Sequence, residues 1–219
     1  GNVYLDTWTA IYPVELRPGA AYGDAGYNPQ FTPFDDTSRN SYSLGFGFSQ
    51  ILSKNLQGSL ALDLVQQNGL LSTPFQRVYF SDKQDYFFDD FQLADDVERL
   101  PDTRFKIALG GRLNYYINSV FVLRSYYRYY TDDWGITSHT ASLELPIKLG
   151  DKFTIYPSYR FYNQTAADQF GAYETHLSTD AFYTSDYDLS KYNANQFGFG
   201  LNYTDIFTKF HIFQFGLKS

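Results

Sequence analysis

A chain of 219 residues is long enough for one large β domain, and its composition excludes several kinds of function. It contains no cysteine and no methionine, so it has no disulfide, no cysteine-based zinc site and no thiol nucleophile. Its net charge of −7 argues against a nucleic-acid partner, which would require a basic surface.

Alternation of apolar and polar residues with a period of two predicts nine β-strands. Tyr42, Leu44 and Phe46, for example, occupy every second position of one such segment. Each alternation lasts about ten residues, which is longer than a typical soluble strand and suits a tilted strand that crosses a membrane. The predicted strands are 2–11, 40–52, 56–67, 103–117, 119–131, 136–149, 152–163, 193–204 and 208–218.

The predicted connections between these strands are alternately long and short. The tight turns lie at 53–55, 118, 150–151 and 205–207. The long connections are 12–39, 68–102 and 164–192, and the modest connection 132–135 falls on their side. Short periplasmic turns and long extracellular loops are typical of outer-membrane β-barrels. We therefore expect an all-β fold in which residues 1–219 form a single antiparallel transmembrane barrel domain. Because such barrels have an even number of strands, and because the chain opens in a strand without the signal peptide that export requires, we also expect the domain to be incomplete at both ends. The alternative architecture is a soluble β-sandwich.

Several stretches of the chain resemble one known family. They are VYLDTW at 3–8, IYPVELR at 11–17, LLSTPFQRVYF at 70–80, ERLP at 98–101 and TSDYDL at 184–189. Together they resemble a Gram-negative family of outer-membrane barrels catalogued as a domain of unknown function, DUF3570. The likeness extends over essentially the whole chain. It implies a location in the bacterial outer membrane, with the lipid bilayer as a partner, and it supplies no catalytic residues.

The strands carry basic residues at the positions that alternate with the Leu and Phe residues. If the Leu and Phe residues face lipid, these basic residues face a lumen: Arg104, Lys106, Arg112, Arg124, Arg128, Lys148 and Arg160. A ring of like charge within a low-dielectric wall favours passage of anionic solutes. The alternative is that these residues are paired with carboxylates of a plug, an inward-folded loop or further strands.

The connection 68–102 is rich in acidic and aromatic residues. They include Asp85, Tyr86, Phe87, Phe88, Asp89, Asp90, Asp95 and Asp96. This composition predicts a solvated loop whose aromatic side chains dock another outer-membrane protein or a lipoprotein. Clustered carboxylates also suit Ca²⁺, but no calcium-loop spacing is present, and we predict no metal and no cofactor.

The three histidines are the remaining candidates for chemistry. His139, His176 and His211 have no nucleophile motif beside them, so no enzyme is predicted, and a hydrolase is the least favoured alternative. The predicted function is a transport or assembly component of the outer membrane. The main alternative is a non-conducting barrel that acts as a scaffold for partner proteins.

Overall fold

The computed structural model describes residues 1–17, 19–20 and 26–204, together with the backbone of 214–215. These residues form β-strands and two short 3₁₀ turns, Val14–Leu16 and Tyr187–Leu189. The strands are β1 Asn2–Thr7, β2 Ser38–Ser53, β3 Leu56–Gly69, β4 Arg77–Val78, β5 Phe87–Phe88, β6 Phe91–Gln92, β7 Asp96–Val97, β8 Thr103–Tyr116, β9 Val122–Asp132, β10 Thr137–Glu144, β11 Ile147–Leu149, β12 Phe153–Gln164, β13 Tyr192–Tyr203 and β14 Gln214–Phe215. Over this part of the chain, none of the helical segments is both long and apolar enough to span a bilayer.

Ten of the strands form one antiparallel sheet, so the predicted all-β antiparallel fold is confirmed. The order is β1-β2-β3-β8-β9-β10-β12-β13-β14, and β11 pairs with β12 beyond the end of β10. Each long strand therefore pairs with the next long strand along the chain, as in a meander. Within the described residues, β1 and β14 are not paired with each other, so the sheet is open.

Most predicted strand boundaries differ from the observed ones by a few residues. The predicted strand 136–149 is divided into β10 and β11, because Pro146 lies between them and has no N–H to donate to a neighbouring strand. The first predicted strand, 2–11, ends earlier, at Thr7. Most of the last predicted strand, 208–218, lies outside the described residues.

The sheet has one apolar face that is exposed. Phe46 of β2 lies opposite Leu62 of β3, and Leu62 lies opposite Leu109 of β8. Leu109 is 50% exposed, and Phe197 on β13 is 74% exposed. A soluble β-sandwich would bury such a face beneath a second sheet. In the part of the chain that the structure describes, no second sheet covers it.

The hydrophobic core lies among the connections rather than on the sheet. The long connections β1–β2, β3–β8 and β12–β13 are all at one end of the sheet, and we refer to their described residues together as the loop cluster. Leu16, Ala94 and Val97 are buried in it and come from two different connections. Phe80 and Tyr183 form a second buried contact, with ring centroids 5.0 Å apart. The long connections are thus packed against one another.

Candidate functional site

The strand register places all seven predicted basic residues on the polar face of the sheet, opposite the exposed apolar face. Arg112 of β8 lies opposite Tyr126 of β9. Arg124 and Arg128 are two positions to either side of Tyr126, so both point to the same face. Diagonal neighbours of this kind are about 7–8 Å apart. Arg112, Arg124 and Arg128 are therefore neighbours of Tyr126 on this face.

Two of the seven basic residues are held in ion pairs. Arg104 contacts Asp132 at 2.5 Å, and its guanidinium lies 4.2 Å from the centroid of the Trp134 ring. The Asp132 side chain is fully buried, so this pair anchors β8 to β9 at the end of the sheet that carries the long connections. Arg124 contacts Glu144 at 2.8 Å in an exposed pair.

The other basic residues have no ion-pair partner among the described residues. They are Lys106, Arg112, Arg128, Lys148 and Arg160. Arg112 lies over the Tyr126 ring, 5.5 Å from its centroid. Lys148 is on β11, close to the turn end of the sheet and away from the three arginines around Tyr126. Two buried carboxylates of the loop cluster, Glu15 and Asp96, pair with Arg77 and Arg99 of the same cluster and not with the polar face.

Among the described residues, two cavities lined by arginine open on the polar face. The larger one, of about 460 Å³, is lined by Arg112, Arg124, Tyr126, Ser142 and Glu144 among others. The smaller one, of about 300 Å³, is lined by Arg160, Tyr162, Tyr192, Ala194 and Gln196. Each cavity thus combines a guanidinium that has no ion pair in the described part of the chain with at least one tyrosine.

Part of the predicted partner-docking segment forms an exposed hairpin. β5 pairs with β6, and Asp89 and Asp90 form the turn between them, with Asp89 at a φ of 52°. Phe87 is 52% exposed and Phe91 is 48% exposed. Phe88, also in β5, is 50% exposed. Two members precede the hairpin: Asp85 accepts a hydrogen bond from Gln92, and Tyr86 packs on Tyr27.

The prediction that Asp95 and Asp96 belong to this solvated surface is wrong, because both are buried. Asp95 accepts a hydrogen bond from the backbone N–H of Phe80 at 2.9 Å, and burial raises the pKa of its carboxyl. Asp96 pairs with Arg99 at 3.1 Å and accepts a hydrogen bond from the Tyr183 hydroxyl at 2.6 Å. These two carboxylates hold the loop cluster together.

Two further buried carboxylates strengthen the loop cluster. Glu98 accepts hydrogen bonds from the backbone N–H of Thr73 at 2.6 Å and from the hydroxyl of Thr184, and burial raises its pKa. Glu15 pairs with Arg77 at 2.6 Å. Burial opposes ionisation of Glu15, but the hydrogen bond and charge of Arg77, together with backbone hydrogen bonds, lower its pKa. No spacing in the sequence signals the pairing of Glu15 with Arg77 or of Glu98 with Thr184, because in each case the partners lie on different connections.

The histidines do not form a nucleophile–base pair in the described structure. His176 is buried and lies 2.9 Å from the carbonyl oxygen of Thr184. His139 lies 2.7 Å from the hydroxyl of Tyr127 on the apolar face. His211 lies outside the described residues. Over the residues that the structure describes, no three His, Asp or Glu side chains converge as they would around a metal ion.

These features define an antiparallel β-sheet protein with an exposed apolar face, a basic polar face and a packed loop cluster at one end. The family model described as "Protein of unknown function (DUF3570)" matches residues 3–219, and the chain belongs to this family. Comparison with curated proteins and with solved structures gave no match.

Proposed function

We propose that the chain forms a transmembrane β-barrel of the bacterial outer membrane, with its apolar face against the lipid bilayer and its polar face along a conduit for anionic solutes. The observation that carries the proposal is the exposed row of Leu and Phe side chains across the sheet. Phe48 is 62% exposed and Leu60 is 59% exposed. Exposure of apolar area to water costs about 25 cal/mol per Å², so a continuous face of this kind requires an apolar neighbour.

Strand length and loop sidedness support the same proposal. β8 has 14 residues and β12 has 12, and about 9–11 residues are enough for a tilted strand to cross a bilayer. The long connections lie at one end of the sheet, and the short turns of the described chain, β2–β3, β8–β9 and β11–β12, lie at the other. In outer-membrane barrels the long loops are extracellular and the short turns are periplasmic.

The polar face supports anion preference over cation preference. Arg112, Arg128 and Arg160 are exposed on it, and none of them has an ion pair within the described ranges. Fixed positive charge along a water-filled path lowers the energy of anions and raises that of cations.

Planar-bilayer recordings on the purified protein test this function. We expect a conductance whose reversal potential in a salt gradient indicates anion preference. Substitution of Arg112, Arg124 and Arg128 together by Gln is expected to reduce that preference, whereas Lys54→Gln, at the turn between β2 and β3, leaves it unchanged. A barrel that does not conduct, or a preference that the triple variant retains, would refute the conduit. A protein that fractionates as a soluble monomer without detergent would refute the membrane location.

A second candidate function is a scaffold that docks another outer-membrane protein or a lipoprotein through the β5–β6 hairpin. The exposed rings of Phe87 and Phe91 favour it, because exposed aromatic side chains are common anchors of protein interfaces. We expect Phe87→Ser with Phe91→Ser to abolish co-purification of such a partner. Phe75→Ser removes a ring that is 62% exposed and lies outside the hairpin, and it serves as the control. Unchanged co-purification from the double variant would count against the hairpin.

A further inference from the structure

We infer that the polar face carries one extended binding site for an acidic oligosaccharide, which spans the two arginine-containing cavities. This inference rests on the proposed conduit only for the route by which the ligand reaches the site. The register of four strands and the side chains that line the two cavities define the site itself.

The charges of the site lie in one row across the sheet. Arg112 lies opposite Tyr126, Tyr126 opposite Ser142, and Ser142 opposite Arg160. Neighbouring strands are about 4.8 Å apart, so three steps separate the two arginines by about 14 Å. A small anion binds at one end of this row only. A chain with several carboxylates along its length reaches both ends, and each exposed guanidinium suits a carboxylate because its donors match the two carboxylate oxygens.

The groups beside the charges point to sugar rings. Tyr126 lies in the larger cavity, and Tyr162 and Tyr192 lie in the smaller one with their ring centroids 5.5 Å apart. A tyrosine presents an apolar ring and a polar hydroxyl, which matches the apolar C–H faces and the hydroxyl groups of a sugar. Ser142 adds a hydroxyl between the two arginines. A polyphosphate has no apolar face for these tyrosine rings to contact, whereas a chain of acidic sugars has both the carboxylates and the apolar faces.

Isothermal titration calorimetry with tetragalacturonate tests the site on the full chain in detergent. We expect saturable binding that Arg112→Gln and Arg160→Gln each weaken about tenfold, since each removes one charged hydrogen-bonding partner. Lys54→Gln removes one positive charge at the turn end and is expected to leave the affinity unchanged. Maltotetraose, a neutral chain of the same length, is expected to bind at least about tenfold more weakly.

Three results would overturn the inference. The first is an absence of tetragalacturonate binding, the second is binding that both arginine substitutions leave unchanged, and the third is equal binding of maltotetraose or of inorganic triphosphate. Calorimetry does not require conduction. Anion-selective conductance without tetragalacturonate binding would therefore overturn the oligosaccharide site alone, and binding without conductance would overturn the conduit alone.

Discussion

At the scale of single residues, the two ion pairs of Glu15 and Arg124 differ in burial and therefore in their expected contribution to stability. The Glu15 side chain is 1% exposed and its partner Arg77 is 34% exposed. Arg124 and Glu144 are 51% and 38% exposed. Removal of one partner leaves an uncompensated buried charge in the first pair and a hydrated charge in the second.

We therefore expect Arg77→Ala to lower the free energy of unfolding by about 2–3 kcal/mol, somewhat less than for a fully buried pair because Arg77 is partly hydrated. Arg124→Ala is expected to lower it by less than about 1 kcal/mol. Urea unfolding followed by tryptophan fluorescence measures both. Addition of Glu15→Gln to Arg77→Ala should recover part of the loss, since a neutral amide needs no counter-charge. Equal effects of the two alanine variants would contradict this account.

The pH dependence of the Glu15 pair follows from the direction of its pKa shift. The pKa of Glu15 is lowered in the folded state, so the pair stabilises the fold above the ordinary carboxyl pKa. That contribution is lost as the pH falls through the lowered value. Glu98 has the opposite shift, because its pKa is raised by burial. The folded state holds the Glu98 proton more tightly, so this carboxyl lowers stability as the pH rises from its ordinary pKa towards the raised one.

The substitution Glu98→Gln tests whether the raised pKa of Glu98 lowers stability at neutral pH. We expect the substitution to increase hydrogen-exchange protection of the loop cluster at pH 7.5, because it removes a buried charge while its amide oxygen still accepts from the N–H of Thr73. At a pH below the ordinary carboxyl pKa the variant and the parent should be equally protected, since Glu98 is then protonated. A variant that loses protection at pH 7.5 would show that the ionised form is required.

At the scale of elements, adjacent residues of β3 point to opposite faces and provide a controlled comparison. Leu60 is on the apolar face beside Phe48, and Ala61 is on the polar face between Gly47 and Gly110. Leu60→Arg is expected to destabilise the protein in lipid vesicles by about 2–4 kcal/mol if the residue lies near the bilayer midplane. Ala61→Arg, with small residues on both sides and water along its face, is expected to have a much smaller effect. Urea unfolding in vesicles measures both, and equal effects would contradict a lipid contact at Leu60.

The long strands could be predicted from the sequence because alternation is a local property. Tyr42, Leu44 and Phe46 specify a face without reference to any partner. The position of Asp96 could not be predicted, because its acceptor role depends on Arg99 and on Tyr183, which is 87 residues away. The same reasoning applies to the two cavities. Arg112 and Arg160 are on different strands, and only the register shows that they share a row.

At the scale of the whole molecule, the distribution of apolar groups separates the sheet from the loop cluster. Phe80 and Val97 in the loop cluster are buried by other parts of the chain itself, whereas Leu109 and Phe197 on the sheet are exposed. The loop cluster therefore has its own core, whereas the apolar face of the sheet is not covered by any described residue. Since the loop cluster and the short turns lie at opposite ends of the sheet, insertion in a membrane would place them on opposite sides of the bilayer.

Sided labelling in intact cells tests that arrangement, and because the chain contains no cysteine, any label on it reports the introduced thiol. Phe75→Cys introduces a thiol in the loop cluster at a position that is 62% exposed. Lys54→Cys introduces one in the turn between β2 and β3. Because long loops of outer-membrane barrels are extracellular, we expect a membrane-impermeant maleimide to label Phe75→Cys in intact cells, and to label Lys54→Cys only after the outer membrane is permeabilised. Labelling with the opposite sidedness would reverse the proposed orientation, and labelling of both positions in intact cells would refute the crossing itself.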